Sequence, residues 1–453
     1  MRKPFNPDTP TWKVFLIFLG PMMLANILQS LSGTLNSIFL GHLIGVSALA
    51  AASAFFPLML FLVSFIMGLG AGSSVLIGQA WGAGRPERVR AVAGTTLAVG
   101  MLGGLVIALF GGAFAPGLLA ALSTPPDIMH EATVYARVMF IAMPGLFTFL
   151  LLTSIMRGVG DTLTPLYALV VSTLIGVLVT PALITGWGGL PRAGVASAAY
   201  GAIVSFIVSL GWLSWYLRRK RHPFAPTAEF FRHMRIDGTI LAAVLRIGVP
   251  TALQMVIVSL AEVALLSIVN RFGSDATAAY GVGNQVIGYV QFPAISIAIA
   301  ASILGAQAIG AGHADRLGAI TRTGIMINFA ITGGLLLVCY LAARPIIGMF
   351  TDHQETTRIA LRMLHIVLWS MLVFGAAVVT SGVMRASGTV LVPVALSISA
   401  ILLVEVPTAW FLSRSIGLDG VWAAYPVTFA AMLLLQSLYY HLVWRRKKIE
   451  RLV

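Results

Sequence analysis

The sequence predicts an all-α polytopic membrane protein with twelve transmembrane helices in two six-helix lobes. Three observations lead there. The 453 residues are 58% hydrophobic and only 10% charged, with a mean hydropathy of +0.94, whereas a soluble domain carries ~25% charged residues. The apolar runs far exceed the ~10 alternating residues of a barrel strand and reach the ~20 that a helix needs to cross hydrocarbon. The second half repeats the first, as described below.

Run length, turn residues and charges place the spans near 13–40, 48–79, 92–119, 131–156, 165–187 and 194–217 in the first half. The second half gives 244–270, 277–308, 319–342, 355–383, 391–413 and 420–444. Met1-Arg2-Lys3-Pro4 leads into a long apolar run at Trp12. No short apolar core and small-residue cleavage site precede it, so a retained first span is expected and no signal peptide. The polar stretch Arg218–Gly238, with Pro223 and Pro226, reads as a linker. The expected domains are a lobe over 1–217, a linker over 218–240 and a lobe over 241–453.

The basic residues set the expected orientation. Arg2, Lys3, Lys13, Arg85, Arg88, Arg90, Arg157, the linker cluster, Arg316, Arg322, Arg385 and Arg445 to Arg451 fall on one side. The other side holds Arg192, Arg271, Arg344, Arg358, Arg362 and Arg414. That bias puts both termini in the cytoplasm. The net charge of +14 is then a topology signal beside an anionic leaflet, and no nucleic-acid partner is expected.

The halves align residue by residue. Gly78-Gln79-Ala80-Trp81-Gly82-Ala83-Gly84 recurs as Ala306-Gln307-Ala308-Ile309-Gly310-Ala311-Gly312, an offset of 228 residues. Met156-Arg157-Gly158-Val159-Gly160-Asp161-Thr162 recurs as Met384-Arg385-Ala386-Ser387-Gly388-Thr389-Val390 at the same offset. Pro165 falls on Pro393, and Pro21 meets Pro250. Six spans per half make the repeats parallel, with the site expected at the interface of the halves.

Glu262 lies at membrane depth in Ser259-Leu260-Ala261-Glu262-Val263, where an acid costs ~2.5–3.5 kcal/mol on insertion scales. It is either a neutral, hydrogen-bonded core acid or a cation or proton site. Glu405, two residues before Pro407, is either a water-accessible acid near the membrane end or a second carboxylate of the same site. Two close carboxylates share a proton or hold a cation in low dielectric.

Asn26, Gln29 and Asn36 share one helical face. Gln254, Asn284, Gln285 and Gln291 offer polar groups in the second half. Cavity lining and helix-to-helix hydrogen bonding explain them equally. Gln79, Gln307, Arg157 and Arg385 read as structural or gating residues at inner helix ends, and Met-rich patches as packing. Cys339 is the one cysteine, His365 is isolated, and there is no zinc-spaced cluster and no G-x-x-x-x-G-K-[ST], so neither a metal cofactor nor an ATP site is expected.

The repeated pattern, with Gly20-Pro21 and Asn36-Ser37-Ile38-Phe39-Leu40-Gly41-His42, resembles the multidrug and toxic compound extrusion (MATE) family, over Phe15 to Trp444. The resemblance implies two lobes around a cleft in a bacterial inner membrane. It also implies a monomer that exports small amphipathic, mostly cationic compounds, driven by sodium or proton entry, with no other cofactor and no catalytic role. Glu262 matches the seventh-helix glutamate of the NorM-like branch and is the expected ion-coupling residue with Glu405. Pro21 is expected to be structural or gating. Two family acids are replaced: Asn36 stands at the first-helix aspartate, and Phe374 at a tenth-helix aspartate. Both are expected in the substrate cavity with Gln29, Gln254, Asn284 and Gln285. A related lipid-linked saccharide flippase is the alternative, and an Arg-lined cavity would favour it.

Overall fold

The computed structural model describes residues 10–189 and 192–452; Arg2 and Lys3, counted above among the inner charges, lie outside them. Twelve helices among the described residues are long and apolar enough to cross a membrane. They are α1 (Thr11–Leu43), α2 (Ser47–Gly82), α3 (Pro86–Ala121), α4 (Met129–Gly158), α5 (Leu163–Thr185) and α6 (Ala196–Arg219), followed by α7 (Gly238–Phe272), α8 (Ser274–Gly310), α9 (Ala314–Leu341), α10 (Gln354–Ala386), α11 (Leu391–Ser415) and α12 (Leu418–Arg446). No strand occurs among the described residues. This follows from the solvent: hydrocarbon offers no hydrogen-bond partner, so each backbone group must be satisfied within its own helix.

The chain forms two compact units, and their limits differ from the expected boundaries at 217 and 241. Unit 1 holds residues 24–81 and 85–249; unit 2 holds 10–23, 82–84 and 250–452. Small residues are the physical reason. A Cβ on Gly72 of α2 would collide with the carbonyl of Val244, and one on Gly248 would lie 2.9 Å from the Gly68 carbonyl oxygen. The first turns of α7 therefore sit on α2, inside unit 1. Likewise Phe15 of α1 is fully buried and its ring reaches Gly324 of α9, inside unit 2.

The repeat persists in the packing. In unit 1, α2 meets α4 where Gly70 lies on Ser154 and Gly158 on Ile77. In unit 2, α8 meets α10 at the same positions displaced by 228, where Gly382 lies on Ala298 and Gly305 on Ala386. The glycine has changed partner at both contacts. A close crossing needs one small residue, and either helix can supply it.

The linker is folded onto unit 1. Its short helix Ala228–Arg232 is capped by Thr227, whose hydroxyl accepts from the Phe230 amide at 3.3 Å. Arg90 of α3 pairs with Glu229, and the Thr95 hydroxyl donates to the Arg235 carbonyl at 2.9 Å. Before α5, Asp161 accepts from the Thr164 amide at 3.0 Å and faces His222 Nε2 at 3.5 Å. Burial pushes the Asp161 carboxyl up, but the bonds from His222 and Thr164 outweigh it and hold it below its ordinary value. A depressed carboxyl stabilises the fold above its unfolded pKa and loses that contribution as pH falls through the folded one.

The α2–α7 contact gives a stability test. Gly72→Ala places a methyl against backbone that cannot rotate away, which costs ~1–3 kcal/mol. Gly103→Ala enters open space and improves helix propensity. Thermal unfolding of the detergent-solubilised protein should show a lower midpoint for the first variant only; equal midpoints would refute the contact.

Candidate functional site

Two groupings of polar side chains within the spans bear on the expected site residues, one in each unit. In unit 1 a cavity of about 290 Å³ is lined from α1, α2, α4, α5 and α6. Gln29 and Asn36 reach it from one face of α1, as their spacing allows. Ser172, Thr173 and Thr180 of α5 and Ser205 of α6 add hydroxyls, and Tyr135 of α4 adds a phenol. Phe39, Met59, Met139, Phe149 and Phe206 supply apolar wall. Among the described residues no Asp, Glu, Lys, Arg or His lines it. The buried Thr173 hydroxyl has no hydrogen-bond partner among the described residues.

In unit 2 the acids meet an aromatic cluster. Glu405 is 6% exposed, so it is not a water-facing acid at a membrane end. Its helix explains the position. Pro407 has no amide hydrogen and its ring crowds the carbonyl four residues back. The turn over Ile401–Glu405 has widened to a π-helical one, a local form common at functional sites. Glu262, on α7, is exposed, yet its charge acts on Glu405. Both carboxyls also act on Tyr280 and Tyr425.

Those tyrosines come from α8 and α12, and their hydroxyls lie 3.1 Å apart. Tyr280 stacks on Trp422 with ring centroids 5.7 Å apart and an interplanar angle of 9°. Asn284, one turn along α8, hydrogen-bonds to Tyr280. The indole nitrogen of Trp422 is buried without a partner among the described residues. The donor set is thus oxygen-rich: two carboxyls, two phenols and one amide. That chemistry suits a proton or a hard monovalent cation and resembles no thiolate or imidazole metal site. Among the described residues no three His, Cys, Asp or Glu side chains group as a metal site.

The remaining expected cavity residues are spread over several places. The Gln285 amide donates to the Tyr289 hydroxyl at 3.4 Å, on another face of α8 from Asn284. Phe374 packs on Phe429, ring centroids 5.1 Å apart, and Phe429 lies 6.1 Å from the Tyr425 ring, so Phe374 backs the aromatic cluster of unit 2 and does not line the cavity of unit 1. Gln254 is half-buried on α7 and does not line the cavity of unit 1. Pro21 lies inside α1 and is half-buried, and Gln79 and Gln307 are buried at helix ends. Arg157 donates to the Ser154 hydroxyl at 3.5 Å, while Arg385 Nε has no partner among the described residues. Sequence reasoning passed over the α5 hydroxyls, although Thr173 and Thr180 are seven apart and share a face. Tyr280 and Tyr425 carried no such signal, because 145 residues separate them.

Comparison with known proteins agrees with this architecture. The MatE family profile matches residues 21–182 and again 250–411. The probable multidrug resistance protein YoeA of Bacillus subtilis (strain 168) is 46% identical over 444 residues, covering 98% of this chain and 96% of its own. The probable multidrug resistance protein NorM of Thermotoga maritima is 25% identical, with coverages of 92% and 89%. Among solved structures, a mutant of the Vibrio cholerae MATE transporter VcmN superposes with a TM-score of 0.89 at 21% identity, covering 97% of this chain and 98% of its own. At that identity the likeness concerns the fold.

The tyrosine pair can be tested by stability alone. Tyr280→Phe strands the buried Tyr425 hydroxyl, and an unpaired buried hydroxyl costs ~1–3 kcal/mol. Tyr425→Phe leaves Tyr280 its bond to Asn284 and should cost less. The double variant should cost less than the sum of the two. Additive losses in thermal unfolding would contradict the pairing.

Proposed function

The chain belongs to the MatE family, and on that premise we propose that it is a secondary active exporter: an antiporter that expels amphipathic, cationic organic compounds in exchange for sodium ions or protons. It would act as a monomer in a bacterial inner membrane with both termini cytoplasmic. The names of its relatives as multidrug resistance and export proteins support the efflux role. One observation supports a division of labour: both intramembrane acids lie in unit 2, and no charged side chain among the described residues lines the cavity of unit 1.

The chemistry differs accordingly. A neutral wall of aromatic, methionine and hydroxyl groups accepts varied organic molecules, since methionine re-packs easily and aromatic faces attract cations. A phosphate-bearing saccharide lipid would need cationic groups, and none among the described residues lines that cavity. Glu262 and Glu405 form the coupling site in this reading. Two carboxyls that act on one another in low dielectric take up a proton or a cation rather than remain unpaired. Transport requires that the ion be bound more tightly in one state than in the other, because equal affinity shifts nothing. An exposed and a buried acid in one cluster allow that difference: hydration of Glu262 changes with opening, while Glu405 stays fixed among aromatic rings.

Transport in liposomes tests the proposal. Under separate sodium and proton gradients, Glu262→Gln should lower export of a fluorescent organic cation by at least ~10-fold, since a site without differential ion affinity drives nothing. Glu405→Gln should weaken export too, and the double variant should not add the two losses. Wild-type rates in Glu262→Gln would end the assignment. Asn36→Ala should weaken substrate handling and leave ion dependence intact; loss of coupling with normal substrate binding would move the ion site to unit 1.

Orientation is tested separately. With Cys339→Ser as background, Lys220→Cys on the exposed linker should resist labelling by a membrane-impermeant maleimide in intact cells and react once they are opened. Efficient labelling of intact cells would invert the topology.

A further inference from the structure

A second cavity, of about 440 Å³, lies in unit 2 between α9, α10 and α12. Neither the ion cluster nor the exporter reading uses it. Arg322 of α9 and Arg445 at the end of α12 both line it, with His441 beside them. Thr321 and Tyr440 close its inner wall, their hydroxyls 3.2 Å apart. Ile325, Met326 and Leu433 continue it as an apolar groove. Among the described residues no carboxylate lines it, and neither arginine has an ion pair.

The internal repeat shows that the two units treat this face differently. Arg322 stands 228 residues after Gly94. In unit 1 the backbone of His233 rests on Gly94, too close for a side chain there, and the neighbouring Thr95 bonds the Arg235 carbonyl. The linker thus fills the face of α3. On α9 the glycine is replaced by arginine, and the corresponding face opens onto the cavity. A long cationic side chain there would clash with a covering backbone and suits an anionic occupant.

We infer that the groove between α9 and α12 is a binding site for an anionic phospholipid. Arg322 and Arg445 take the phosphate of the headgroup, and the Ile325–Met326–Leu433 wall takes the start of an acyl chain. Three features select this occupant. Two arginines from different helices line one cavity, and guanidinium groups match phosphate geometry. The apolar continuation excludes a simple inorganic ion as the best fit. The position, at helix ends among the chain's basic segments, is where basic pockets meet headgroups.

Native mass spectrometry of the purified full-length protein reads the site directly. Dioleoyl phosphatidylglycerol is titrated against the wild type, Arg322→Gln/Arg445→Gln, Arg322→Lys/Arg445→Lys, and Lys447→Gln/Lys448→Gln. The glutamine pair should raise the half-saturating lipid concentration by at least about tenfold, the scale of two arginines on one headgroup. The lysine pair should retain most of the binding, which separates charge from folding. The tail variant should change it less than about twofold if the groove, rather than diffuse surface charge, holds the lipid. Dioleoyl phosphatidylcholine should not saturate the site, and millimolar inorganic phosphate should not displace the anionic lipid.

Unchanged phosphatidylglycerol binding in the glutamine pair overturns the inference. So does an equal loss in the tail variant, which identifies a diffuse basic surface. Displacement by inorganic phosphate identifies a free-anion site instead. No saturable lipid on the wild type shows that another segment or molecule fills the groove. Each readout is binding, so failure here leaves the exporter proposal standing on its own transport assays.

Discussion

Hydrocarbon offers nothing to a backbone amide, and the rest of this structure depends on that. Every span must be a complete helix, and the helices cannot be drawn together by expelling water. They associate where side chains are small enough for backbones to approach. The contacts at Gly70, Gly158, Gly305 and Gly382 are such places, and the repeat keeps their positions while exchanging which helix carries the glycine. The same rule draws the start of α7 onto α2 through Gly72 and Gly248, so the compact units do not break where the linker breaks.

The apolar solvent also makes each intramembrane charge costly, and the protein confines that cost. The described cavity of unit 1 has no charged lining. In unit 2 Glu405 is buried, and its carboxyl acts on the Tyr280–Tyr425 pair, whose Tyr280 ring stacks on Trp422. Pro407 contributes by its missing amide hydrogen: the helix before it widens, and the acid lies at the end of that turn.

Repeats with one ancestral plan have also come apart at their surfaces. The linker lies across α3 in unit 1, tied by Arg90, Thr95 and the pair Asp161–His222. The face of α9 in unit 2 carries Arg322 and a groove instead. Duplicated cores stay alike because the helix crossings allow few solutions. Faces at the membrane ends are free to differ, because water and headgroups satisfy what the protein does not.

The sequence by itself determined the membrane class, the twelve spans and the parallel repeat. Run length and solvent cost are local quantities, and the offset of 228 is visible by inspection. It also singled out Glu262, because one acid in a long apolar run is an anomaly whatever surrounds it. Only the tertiary structure decided the company Glu262 keeps. Glu405 could have faced water; the fold buries it and leaves Glu262 exposed. Adjacent Asn284 and Gln285 looked equivalent, but successive helical residues point about 100° apart, so one joins Tyr280 and the other faces Tyr289. Phe374 went to the core against Phe429, and Tyr280 found Tyr425 across 145 residues. A single helix fixes its own faces by period alone, but which face meets which neighbour depends on crossings set by small residues on other helices.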